Sequence, residues 1–134
     1  MLRSVDAAQA LGDLTEISSQ IVQAAIVGDG GVVLASTFAD AERAKRFAAG
    51  VERLLAEADG VREAQGLPEL TQLEAATLAG SVFVVRDGAG PRFVAAVTRP
   101  EPTVGLVFYD LKHCLRSIDE VTPRTARTRA DATA

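Results

Sequence analysis

The 134-residue chain has little of what staples, ligates or reacts. A single Cys excludes an internal disulfide framework. The single His stands next to it, as His113-Cys114, and the pair cannot make a zinc site without carboxylates. Trp is absent and aromatic residues reach only 4%, against 48% hydrophobic residues in all, so Ala, Val and Leu must fill the core. No apolar run approaches the roughly 20 residues that span a bilayer, and the N-terminus lacks the basic-then-apolar order of a secretory leader, so a cytoplasmic protein without membrane insertion is expected. Gly28-Asp29-Gly30-Gly31 and Asp87-Gly88-Ala89-Gly90 lack the Lys-Ser/Thr of a phosphate loop, and no Ser or Cys lies in a nucleophile elbow. The sequence thus offers no catalytic residue, no cofactor motif and no metal-ligand set.

The net charge of −4 is unevenly spread. Residues 121–134 carry Arg124, Arg127 and Arg129 against Asp131, which leaves residues 1–120 with 11 basic and 17 acidic residues. Such an acidic body argues against nucleic acid, whose binding needs clustered positive charge. The length suits one domain over residues 1–120. The last fourteen residues have almost nothing apolar to bury and are expected to be a disordered tail.

The most informative stretch is Val22 to Ser36, VQAAIVGDGGVVLAS. Two apolar runs flank a turn in which an Asp-Gly pair supplies positive φ, the signature of a β-hairpin. Both runs are apolar at nearly every position, which predicts protein packed on both faces of the sheet. Before the hairpin, residues 4–19 place apolar side chains at three- and four-residue steps, a helix with Ser4 or Asp6 as N-cap. After it, Thr37 followed by Asp40 resembles a capping box and opens a long helix over about 38–58, with Asp59-Gly60 as its stop. Ala41, Ala44, Phe47, Ala48, Val51, Leu54, Leu55 and Ala58 fall on one arc of that helix. Glu42, Lys45, Arg46, Arg53 and Glu57 lie outside it, where Glu42 with Arg46 and Arg53 with Glu57 have ion-pair spacing. That side is either a solvated face or, through Ala49 and Gly50, a place where another helix approaches.

Residues 59–69 read as an irregular connection broken by Gly66 and Pro68. Three strands follow: 70–77, the most polar and hence an edge, then 81–86 and 92–98. Thr103 to about Asp119 repeats apolar residues at helical spacing. Cys114 lies in that stripe as a buried thiol, and His113 lies just off it, with no evident acidic orienter.

The order helix, two strands, helix, three strands, helix resembles the roadblock/dynein light chain family, particularly its bacterial members. The segments LGDLTEISSQIVQAAIVGDGGVVLAS and TVGLVFYDLKHCLRSI carry the resemblance, which covers roughly residues 4–119. It implies an α/β (α+β) fold with a five-stranded antiparallel sheet of order 2-1-5-4-3, the long helix on one face and the terminal helices on the other. It also implies a non-enzymatic signalling scaffold: a homodimer, formed through the third strand and the long helix, that binds a Ras-like small GTPase. Carried onto this chain, the dimer interface is Leu70, Thr71, Gln72, Leu73, Glu74, Ala75 and Ala49, and the partner-binding residues are Glu42, Lys45, Arg46, Ala49 and Arg53. A small-ligand sensor module of a signalling system is the alternative, and it would require a cavity lined by convergent polar groups.

Overall fold

The computed structural model describes residues 5–88 and 90–119. The tail expected at 121–134 and the alternative cap Ser4 lie outside them. Eight regular elements follow in the expected order. They are α1 (Ala7–Ile17), β1 (Ile21–Val27), β2 (Val33–Ser36), α2 (Ala41–Ala64), β3 (Gln72–Thr77), β4 (Gly80–Arg86), β5 (Phe93–Thr98) and α3 (Val104–Asp119). The strands make one antiparallel sheet in the order β2-β1-β5-β4-β3.

Alternation along β1, β4 and β5 explains their continuous apolar runs, whereas β2, expected to be covered on both faces, has no buried residue and leaves Leu34 exposed because it is the sheet's outer strand. Ala24, Ile26, Phe83, Val85, Val94 and Ala96 face α1 and α3, whose Leu11, Leu14, Val107, Leu111 and Leu115 close that core. Ala25, Val27, Val84, Phe93 and Ala95 point the other way and meet Ala48, Val51 and Leu55 of α2. Cys114 is buried on the first side, its Sγ donating to the Ala10 carbonyl at 3.6 Å. Burial pushes its thiol up to about 12, so it behaves as a small hydrophobe.

Local details depart from expectation at the ends of α2. Asp40, not Thr37, caps it, accepting the Glu42 N–H at 2.9 Å. Thr37 is occupied elsewhere: its Oγ1 accepts the Ala24 N–H at 2.9 Å and finishes the β1–β2 ladder. At the other end Gly60 is helical, and the helix runs to Ala64. A glycine inside a helix costs about 1 kcal/mol relative to Ala. Here Asp59 opposes that cost by accepting from Arg86 (2.7 and 3.3 Å) and from Arg62 (3.0 Å), which ties the last turns to β4. The stop is Gly66, whose φ of +70° an L side chain adopts poorly. Half of the expected connection 59–69 is therefore helix, and the third strand starts at Gln72, two residues later than expected. The hairpin turn is also longer than a two-residue one. Asp29–Gly31 form a 3-10 turn in which Gly30 and Gly31 supply the positive φ, and the β1–β2 register shifts at Ile26/Val27.

Candidate protein-interaction surface

The two edges of the sheet differ. β2 has four residues and a register irregularity, features that blunt an edge. β3 has six residues in unbroken register with β4, and among the described residues no strand lies beyond it. The Arg86 N–H donates to the Thr71 carbonyl at 2.9 Å, across the register that pairs Gln72 with Val85 and Leu73 with Val84. In an antiparallel ladder the bonding direction alternates, so Thr71, Leu73 and Ala75 turn their backbone groups toward β4. Gln72, Glu74 and Ala76 turn theirs outward. The polar edge expected from Gln72 and Glu74 is thus an open row of donors and acceptors.

Beside this edge the sheet is incompletely covered. Leu73, Ala75, Val82 and Val97 are only half-buried on the α2 side, whereas Val84, Phe93 and Ala95 are buried. The cause is the course of α2. Its Glu52 reaches Gly31, where an added Cβ would come within 2.8 Å of the carboxylate. Glu52, Ala56 and Asp59 also line a concavity with Asp87, Gly88 and Phe93. One flank of α2 is therefore pressed against the turns at one end of the strands. At about 100° per residue, Phe47, Gly50, Leu54 and Val61 lie on the opposite flank, facing the uncovered part of the sheet. Leu54 is 36% and Val61 66% exposed. The apolar arc expected of this helix is wider than the surface beneath it, and only Ala44, Ala48, Val51 and Leu55 are fully buried.

The predicted residues separate into three groups. Leu70 and Thr71 precede β3, with Leu70 and Leu73 packed against the α2-side core. Gln72, Glu74 and Ala75 are on the free edge strand. Glu42, Lys45, Arg46, Ala49 and Arg53 are all exposed on α2. Ala49 sits on the flank away from Phe47 and Leu54, so it shares a surface with the charged residues rather than with β3. Glu42 pairs with Lys45 at 4.0 Å, not with Arg46, and both side chains are at least 70% exposed, so the pair contributes little. Sequence reasoning missed the incomplete cover of Phe47 and Leu54, because a helical wheel shows which residues are apolar but not how much of the arc the sheet can cover, and it missed Val61 because the helix was expected to end before it.

Two features bear on other chemistries. The concavity of about 410 Å³ beside Glu52, Asp59, Glu69 and Arg86 is open to solvent, and the Arg86–Asp59 ion pair lies in its wall. Among the described residues, no three His, Cys, Asp or Glu side chains group as a metal site, and no helix is long and apolar enough to cross a membrane. His113 is exposed. Asp110, one turn earlier, is buried and close enough to feel its charge, an acidic neighbour that the sequence pattern alone does not single out.

No protein-family model matches the sequence, and no curated protein matches it. Solved structures do. A roadblock/LC7 domain from Streptomyces avermitilis superposes with a TM-score of 0.73 at 18% identity, covering 88% of this chain and 97% of that one. The gliding protein MglB from Thermus thermophilus gives 0.69 at 14% identity, covering 90% and 94%. An MglB with a tetrameric arrangement gives 0.71 at 15% identity, covering 90% and 93%. The chain therefore has the roadblock/LC7 fold, as the order of its elements had led us to expect.

Proposed function

We propose that the chain is a homodimeric, non-catalytic regulator or scaffold that binds a Ras-like small GTPase on the exposed side of α2. The observation that carries the dimer is the coincidence of an open β3 edge with an apolar surface beside it, made of Leu73, Ala75, Val82 and Val97 from the sheet and Phe47, Leu54 and Val61 from the helix. A second copy added at β3 would continue the ladder and bring its own α2 over the uncovered strip. An isologous contact of this kind buries the same patch on both subunits.

The partner reading draws on the resemblance to roadblock proteins and on charge. Arg43, Lys45, Arg46 and Arg53 are exposed on α2, three of them within its first two turns, in a body that is otherwise acidic. Glu42, Glu52 and Glu57 are exposed among them, so this side of α2 is a mixed-charge surface with a slight basic excess, which suits a partner surface of complementary charge. Any faster GTP hydrolysis would come from positioning the partner's own switch segments, because nothing singles out Arg43, Arg46 or Arg53 as an arginine finger. Light scattering on the full chain tests the dimer first. The expected mass is twice the 14.0 kDa of one chain, and a monomer at micromolar concentration would refute the reading.

A further inference from the structure

We propose that two copies pair their β3 edges in one register, with Gln72 of each opposite Glu74 of the other and Leu73 on the two-fold axis. This rests on the dimer reading above. Only Gln72, Glu74 and Ala76 of the strand turn their backbone groups outward, and an antiparallel pair must match outward residues with outward residues. Registers that use more than one such residue per strand place the axis at residue 73, 74 or 75.

Side-chain chemistry separates the three. An axis at Glu74 sets two carboxylates directly opposite, where like charges destabilise a sheet. An axis at Ala75 sets Glu74 opposite Ala76 and two methyl groups on the axis, so the carboxylate meets no polar side chain directly opposite. An axis at Leu73 lets each Gln72 amide donate to a Glu74 carboxylate, twice by symmetry. It also packs Leu73 on Leu73. That contact falls on the α2 side, where Leu73 already joins the core beside its cross-strand partner Val84. The apolar floor then runs unbroken from one subunit to the next.

Cysteine crosslinking reads the register. With the axis at residue 73, that residue and its copy form a non-hydrogen-bonded pair, with Cα atoms about 4.5 Å apart and within the range a disulfide accepts. Full-length Leu73→Cys, Glu74→Cys and Ala75→Cys are each exposed to oxidised glutathione. Native Cys114 stays silent, being 4% exposed with a thiol pushed up to about 12. Leu73→Cys is expected to crosslink at least about tenfold faster than its neighbours, given the added separation of the other pairs. Fastest crosslinking at 74 or 75 in a protein that light scattering shows to be a dimer overturns the register and leaves the dimer standing. A monomeric wild type with no crosslink at any position overturns both.

A second variant does not depend on a disulfide. Gln72→Glu sets two like-charge pairs across the seam in the proposed register, and the dimer is expected to dissociate about tenfold more readily. With the axis at Glu74 or Ala75 the new carboxylate has no acidic partner directly opposite. An unchanged dissociation constant would therefore count against an axis at Leu73.

Discussion

Asp59 and Asp110 are carboxylates that the fold pushes in opposite directions. The hydrogen bond from Arg86, then that from Arg62, holds the Asp59 carboxyl below its ordinary value. Its charged form is favoured in the folded protein, so its contribution is present above the unfolded value near pH 4 and is lost as pH falls through the lowered folded value. Asp59→Asn is expected to cost about 1.5–3 kcal/mol in urea unfolding at pH 7, the net worth of a hydrogen bond to a charged group. The gap should narrow as pH falls below about 4 and close only once the wild-type group is protonated in the folded protein as well. Asp110 behaves inversely: burial raises it, and the charge of His113 offsets only part of that. Folding then favours its protonated form, and stability falls as pH rises through the unfolded and then the folded value. Asp110→Asn should accordingly melt higher than wild type at pH 7, with no advantage near pH 3. An equal difference at both pH values would mean that shape, not charge, separates the variants.

The strands were legible at the scale of elements because their signals are local: apolar runs, Gly-containing turns, and a polar third strand that reads as an edge. The end of α2 was not. Asp59-Gly60 looks like a stop in a sequence window, and the contact that carries the helix through it comes from Arg86, 27 residues away. Thr37 failed as a cap for a similar reason, since its hydroxyl bonds Ala24 across the hairpin. The bonding direction along β3 was also hidden from the sequence, and it decides which proline is informative. Leu73→Pro removes a donor that faces β4 and should destabilise the subunit itself. Glu74→Pro removes a donor that faces outward. It is expected to leave a folded monomer, with a native circular dichroism spectrum and half the wild-type mass by light scattering. A Glu74→Pro variant that stays a dimer would move the interface away from β3.

For the whole molecule, the arrangement of two helices on one face of the sheet and one on the other leaves a strip that a single helix cannot cover. The sequence supplied the ingredients of that strip, Phe47, Leu54, Leu73 and Val82, but its position depends on where α2 crosses the sheet. Glu52 against Gly31 and Asp59 against Arg86 settle that crossing. The same crossing divides α2 into an apolar flank toward β3 and a charged side toward solvent, and this division makes the two proposed interactions separable. Arg46→Glu with Arg53→Glu alters only the charged side. In the proposed function, wild-type protein binds a purified Ras-like small GTPase in calorimetry, and the double variant binds at least about tenfold more weakly, mainly through a slower association rate. Wild-type association should slow as salt rises from about 50 to about 500 mM, because exposed charges are then screened over a few ångströms. Both proteins should remain dimers of equal mass, since neither Arg supplies the backbone pairing of β3 or the apolar side chains of the proposed seam. Undiminished binding by the double variant would place the partner elsewhere, whereas loss of the dimer in that variant would show that the charged side and the seam are one surface.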